Sequence, residues 1–170
     1  LLVRKIMKKS EGTPEMIEIA QAVRVGARAY LMRQYKGVSI FFGIVFVILL
    51  ILAGLGYTSI FVPFAFLAGG FFSALSGYIG MTIATNSSAR TTFAAKNSLN
   101  EALKLAFSSG LVMGLIVVGL ALLFISVGYS IVKLLHPDLN YIASTMVCFG
   151  MGASAQALFA RVGGGIYTKG

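Results

Sequence analysis

Charge is what this sequence has least of. Asp, Glu, Lys and Arg make up 11% of its 170 residues, against 58% hydrophobic, and the mean hydropathy is +0.90. No Asp, Glu, Lys, Arg or His occurs from Gly37 to Ala89, from Leu105 to Val132, or from Leu139 to Ala160. Uncharged apolar stretches of about 18 residues or more are long enough to cross a bilayer. A water-soluble domain could not hide that much apolar surface, so the soluble classes are excluded first. Disulfides are excluded next, because the single cysteine, Cys148, has no intrachain mate and reads as a small buried hydrophobe. The lone histidine, His136, sits beside Pro137 with no Cys or His at ligand spacing, so it reads as a surface residue rather than a metal ligand. Negative charge is scarce as well: there are five acids, Glu11, Glu15, Glu18, Glu101 and Asp138, and all are expected outside the membrane.

What remains is basic. A formal net charge of +9 would suggest a nucleic-acid binder in a soluble chain. Here the bases flank apolar runs, where anionic lipid headgroups are the nearer partner, and no nucleic acid is expected. Leu1 is not an initiator methionine, and Leu1–Val3 followed by Arg4 and Lys5 is too short for a signal peptide. It reads as the last turn of a helix that would precede it.

Thr13-Pro14-Glu15 marks a helix start, with Thr13 as N-cap and Pro14 where a missing N–H costs nothing. Met16, Ile19, Ala20, Val23, Ala27, Tyr30 and Leu31 then recur at helical spacing. Glu15 and Glu18 come early and Arg24, Arg28, Arg33 and Lys36 late, the order that complements the helix dipole. Residues 1–36 are therefore expected to form a basic cytosolic segment with an amphipathic helix, and residues 37–170 a transmembrane bundle. Spans are expected near 38–60, 64–84, 106–134 and 141–166. The fold class is all-α: a polytopic helical membrane protein fragment with four transmembrane helices behind a basic amphipathic N-terminal helix.

The spans differ in texture. The first is bulky and suited to facing lipid. In the second, Gly69, Gly70, Ser73, Ser76, Gly77 and Gly80 recur every three or four residues, stripping one face so that another helix can approach closely. The polar stretch from Thr85 to Lys104 is expected to be helical in its second half. Its Asn86-Ser87-Ser88 sequon lies on the wrong side of the membrane for glycosylation. In the third span, Gly110 and Gly114 form a GxxxG pair, better suited to packing within the chain than to dimerisation.

Orientation follows from the bases. Eight precede the first span, three lie between the second and third, and two (Arg161, Lys169) follow the core of the fourth; the intervening turns hold only Lys133. Bases near membrane ends stay in the cytoplasm, so both termini are expected there. The fourth span carries Ser144, Thr145, Ser154 and Gln156, as an inner helix would. Arg161 then lies about 7.5 Å from its cytoplasmic end at 1.5 Å per residue. It can snorkel, or it can project into a polar pathway and pair with an acid, which none of the five acids here supplies. Gly163-Gly164-Gly165 is no phosphate loop, because Gly-Lys-Ser/Thr does not follow. It permits a bend or close contact, after which Lys169 presents an ammonium suited to a compact anion.

Three strings, EGTPEMIEIAQAVRVGARAYLMRQYK, GGFFSALSGYIGMTIATNSSART and FGMGASAQALFARVGGGIYTK, resemble the membrane-integral, ion-pumping inorganic pyrophosphatases, and the resemblance covers essentially the whole chain. It implies that the four spans are the second to fifth helices of a longer bundle. It further implies that the parent couples hydrolysis of magnesium pyrophosphate to pumping of protons or sodium ions, and that it is a homodimer. By the same resemblance Lys169 matches a lysine that contacts pyrophosphate, and Arg161 an arginine of the ion pathway. The family's string continues into an alanine pair and magnesium-binding aspartates. Here Gly170 stands where the first alanine is expected, so no catalytic or metal-binding residue is assigned within the chain, and the piece alone is expected to be inactive. The alternative is a non-enzymatic four-span membrane scaffold or anion channel whose Arg161 and Lys169 form a basic mouth.

Overall fold

The computed structural model describes residues 2–166, with side chains as far as Val162. Five helices and no strand are found among them: α1 (Leu2–Met7), α2 (Pro14–Gly54), α3 (Phe61–Asn97), α4 (Leu99–Leu135) and α5 (Leu139–Ile166). The four long ones are each long and apolar enough to cross a membrane.

The helix ends follow from local chemistry. α2 begins at Pro14 as the sequence indicates, with the Thr13 carbonyl accepting the Ile17 N–H at 3.1 Å. It runs on through Gly37 without a break, so the basic amphipathic segment and the first apolar run are one helix of 41 residues. It stops in a Schellman motif. Gly56 takes φ +81°, its N–H donates to the Ala53 carbonyl, and the Tyr57 N–H reaches back to Leu52 at 3.0 Å. Pro63 falls in the first turn of α3, where proline is tolerated, rather than in the connecting turn. At the other turn Asp138 caps α5, its Oδ1 accepting the Asn140 N–H at 3.1 Å.

α3 departs from expectation. The first half of the polar stretch, Thr85 to Lys96, is as helical as the second, and the only interruption falls at Ser98. Thr85, Ser87, Thr91 and Thr92 turn their hydroxyls onto carbonyls one turn back, which satisfies them without leaving the helix.

The chain divides into two compact units. The first combines the residues up to Met32 with Ser76–Val118, and its core is Ile6, Ile83, Leu105 and Val112. The second combines Arg33–Leu75 with the residues from Gly119 onward, and its core is Val38, Phe42 and Phe66. Burial separates the helices by type. In their most apolar windows 11% of α2 and 6% of α4 is buried, against 33% of α3 and 28% of α5. On α2, Ile40, Ile44, Ile48 and Ile51 stand exposed at helical spacing, as do Leu111, Leu115, Val118, Leu122 and Ile125 on α4. In lipid such faces carry no penalty.

The stripped face of α3 serves several neighbours. A Cβ on Gly69 would overlap the Phe149 carbonyl of α5, and one on Gly152 would overlap the Phe66 carbonyl of α3. The two backbones therefore touch reciprocally. Gly70 admits the Phe42 ring of α2 and Gly80 the Met113 side chain of α4. Gly110 and Gly114 meet nothing within 4 Å among the described residues.

Candidate functional site

α5 has two faces of different chemistry. Ile142, Thr145, Phe149, Gly152 and Gln156, spaced three and four apart, are buried. Of these, Phe149 and Gly152 form the seam with α3, and Ala155 and Phe159 pack on the Val38, Phe42 and Phe66 cluster. Of the two buried polar side chains on this face, Thr145 donates to the Tyr141 carbonyl at 2.8 Å. Gln34 of α2 ties the far end of the helix, its Nε2 donating to the Phe159 carbonyl at 2.9 Å.

The opposite face presents Gly150, Ser154, Ala157 and Arg161, also three and four apart and all exposed. Small and hydroxylic residues lead up to one guanidinium on a face that no described helix covers. Arg161 forms no ion pair among the described residues. This face can admit a close neighbour and offers that neighbour a fixed positive charge. Lys169, the other sequence-derived site residue, lies outside the described residues, and of Gly163, Gly164 and Gly165 only the helical backbone is described.

A second polar centre escaped sequence reasoning. Arg90 of α3 is 9% exposed. Its Nε donates to the Lys9 carbonyl at 3.0 Å, another guanidinium nitrogen donates to Asn86 O one turn back, and Nη2 lies 2.8 Å from Glu11 Oε1. Arg24 Nη2 approaches the same carboxylate oxygen at 2.7 Å. One acid thus holds two arginines, and Arg90 gathers the loop between α1 and α2. The hydrogen bond from Arg24 first, with the positive charges of Arg90 and Arg24, outweighs partial burial and holds the Glu11 carboxyl below its ordinary value. The available sequence signal was that Arg90 ends the longest uncharged stretch. Its long-range partners, the carbonyls of Lys9 and Met7 and an acid far back in the chain, follow no periodicity.

No three His, Cys, Asp or Glu side chains come together among the described residues. Glu11 is committed to its arginines and Asp138 to the α5 N-terminus. These donors do not fit the magnesium site that the family resemblance implies.

The family profile described as "Inorganic H+ pyrophosphatase" matches residues 1–170. A protein of Bacteroides thetaiotaomicron named as a K(+)-stimulated pyrophosphate-energized sodium pump is 55% identical over 98% of this chain and 24% of its own length. The K(+)-insensitive pyrophosphate-energized proton pump of Methanosarcina mazei is 42% identical over 98% of this chain and 23% of its own. The pyrophosphate-energized membrane proton pump 3 of Arabidopsis thaliana is 38% identical over 96% and 23%. The chain spans about a quarter of the length of these relatives.

Proposed function

Because this multi-pass membrane chain belongs to the inorganic H+ pyrophosphatase family, we propose that it is one part of a pump in which hydrolysis of inorganic pyrophosphate drives protons or sodium ions across the membrane. The observation that carries the reading is the match of the family profile to every residue of the chain. Relatives named for both ions are similar over nearly its full length.

In this reading both ends of the chain face the cytoplasm. Residues 1–36 form the cytosolic basic segment, and residues 37–170 belong to the transmembrane bundle. The distribution of bases supports this. So does length: α2, with 41 residues, is about 60 Å long at 1.5 Å per residue, twice the hydrocarbon core. The excess carries the charges.

Arg161 belongs to the ion pathway. Its guanidinium stays charged at any working pH, so it can hold a neighbouring acid ionised or repel a cation, but it cannot itself carry a proton. The exposed small-residue face of α5 supports that role by leaving room beside it. Lys169 contacts pyrophosphate and offsets part of its charge; magnesium, held by residues beyond this chain, supplies further neutralisation when bound. The working pump is a homodimer.

The test uses the full-length protein in sealed vesicles, reading phosphate release and ion uptake together. Lys169→Ala should raise KM for pyrophosphate by about tenfold or more, the range for losing one charge-assisted contact. Arg161→Gln should depress ion uptake per phosphate released. Unchanged values for both variants, or no pyrophosphate hydrolysis by the unmodified protein, would remove the proposal.

A further inference from the structure

Arg24, Arg28, Tyr78, Thr82, Thr85 and Asn86 are among the residues lining a cavity of about 230 Å³ between α2 and α3, and no carboxylate lines it. Two features set it apart from an ordinary groove. Arg24 is held in place through Nη2 by Glu11, yet its Nε is buried and has no acceptor. The Glu11 ion pair uses Nη2 of Arg24, and a guanidinium carries five N–H donors in all, so the side chain brings more donors to this cavity than the carboxylate takes. One turn further along the same helix, Arg28 lines the cavity with no ion-pair partner among the described residues. The nearby charges do not cancel: Glu11 is shared by Arg24 and Arg90, which leaves Arg28 in surplus.

Other polar groups of the wall serve their own helix. Thr82 and Thr85 donate their hydroxyls to carbonyls of their own helix, and Asn86 Nδ2 donates to Thr82 O at 2.7 Å. We propose that this cavity is a binding site for a phosphate group, held between the guanidinium groups of Arg24 and Arg28. Guanidinium groups suit phosphate because their forked N–H donors match its oxygens. The volume exceeds the roughly 30 Å³ that one water occupies in the liquid. Arg28 lies nine residues before Gly37, where the charge-free run of α2 begins, or about 13 Å along the helix at 1.5 Å per residue. At that height the phosphate can come from an anionic lipid headgroup or from inorganic phosphate in solution. The site does not depend on the pumping reaction.

Ala27, which also lines the cavity, gives a local reporter. In the full-length protein with its other cysteines replaced by alanine, Ala27→Cys is labelled with a maleimide in three settings: phosphatidylcholine vesicles without phosphate, the same vesicles with inorganic phosphate, and phosphatidylglycerol vesicles without phosphate. Slower labelling with inorganic phosphate assigns the dissolved anion, and slower labelling in phosphatidylglycerol assigns the headgroup. In either case Arg28→Gln should weaken the protection by about tenfold, the loss expected for one charged hydrogen-bonding partner. Arg28→Glu should abolish it. Labelling that neither source slows overturns the site, as does protection that survives in both Arg28 variants.

Discussion

Each of the two units of this chain is held together internally by a different kind of contact. Around Glu11 the first relies on charge: a carboxylate between two arginines, a guanidinium on loop carbonyls, and a Ser87–Ser109 hydroxyl contact at 2.8 Å. The second relies on shape. Phe124 stacks on Phe149 at 4.3 Å, Phe42 on Phe66 at 4.9 Å, and α3 and α5 meet backbone to backbone at Gly69 and Gly152. Lipid does not reward burial of apolar side chains as water does, so helices that face it are held by close packing and by polar contacts between them.

The largest effect should come from filling the glycine seam. Gly69→Ala or Gly152→Ala places a methyl group on a carbonyl oxygen that cannot move unless the helices separate. Each should destabilise the protein by about 3 kcal/mol, the upper part of the usual overpacking range. Because both substitutions open the same seam, the double variant should lose clearly less than the sum. Unfolding in detergent titrations checks this, and the loss should be the same at low and high salt. Full additivity would mean that the two glycines do not share one seam.

Next in size is Arg90→Met in the first unit. It removes the donor to the Lys9 carbonyl and one of the two partners of Glu11, at a cost of about 2 kcal/mol for charged hydrogen bonds in a partly buried setting. Hydrogen exchange at residues 8–12 should rise while the region around Phe149 stays protected. Equal loosening in both places would erase the contrast between the units.

Much of this was legible in the sequence. Uncharged runs locate membrane-length helices whatever their neighbours, and Thr13-Pro14 sets the start of α2 by local chemistry alone. The glycine spacing on α3 announced close approach, but not that Gly69, Gly70 and Gly80 would each meet a different helix, because a spacing names a face and not its occupants. The helical half of Thr85–Lys96 was obscured because serine and threonine hydroxyls can serve a helix or a loop equally well. Arg90 could not be read as buried, since its acceptors are carbonyls that every residue carries. The exposed face of α5 beside Arg161 follows from knowing which face Phe149 and Gly152 occupy, and only packing decides that.

Protonating Glu11 should have a smaller effect. Its carboxyl sits below the ordinary value, so its stabilisation is complete above the unfolded value of about 4.3 and fades as pH falls through the lower folded value. Arg24 and Glu11 side chains are 27% and 19% exposed, so solvent screening limits Glu11→Gln to about 1 kcal/mol at neutral pH. The gap between the variant and the unmodified protein should close in acid and narrow with added salt. A gap that persists unchanged in acid would show that the carboxylate charge is not what organises the loop.

The smallest effect tests the contrast most finely. Ser87 is 2% exposed and its hydroxyl meets that of Ser109 at 2.8 Å, joining α3 to α4 inside the first unit. A double-mutant cycle of Ser87→Ala and Ser109→Ala isolates that contact from the bond Ser87 makes to its own helix at Ile83. Interhelical polar contacts in membranes average about 0.6 kcal/mol, because the separated helices also find partners. A coupling of that size is expected here. A coupling indistinguishable from zero would mean that the apolar core of Ile83, Leu105 and Val112 holds α3 to α4 without help. In that case the reliance of the first unit on polar contacts would reduce to the arginines around Glu11.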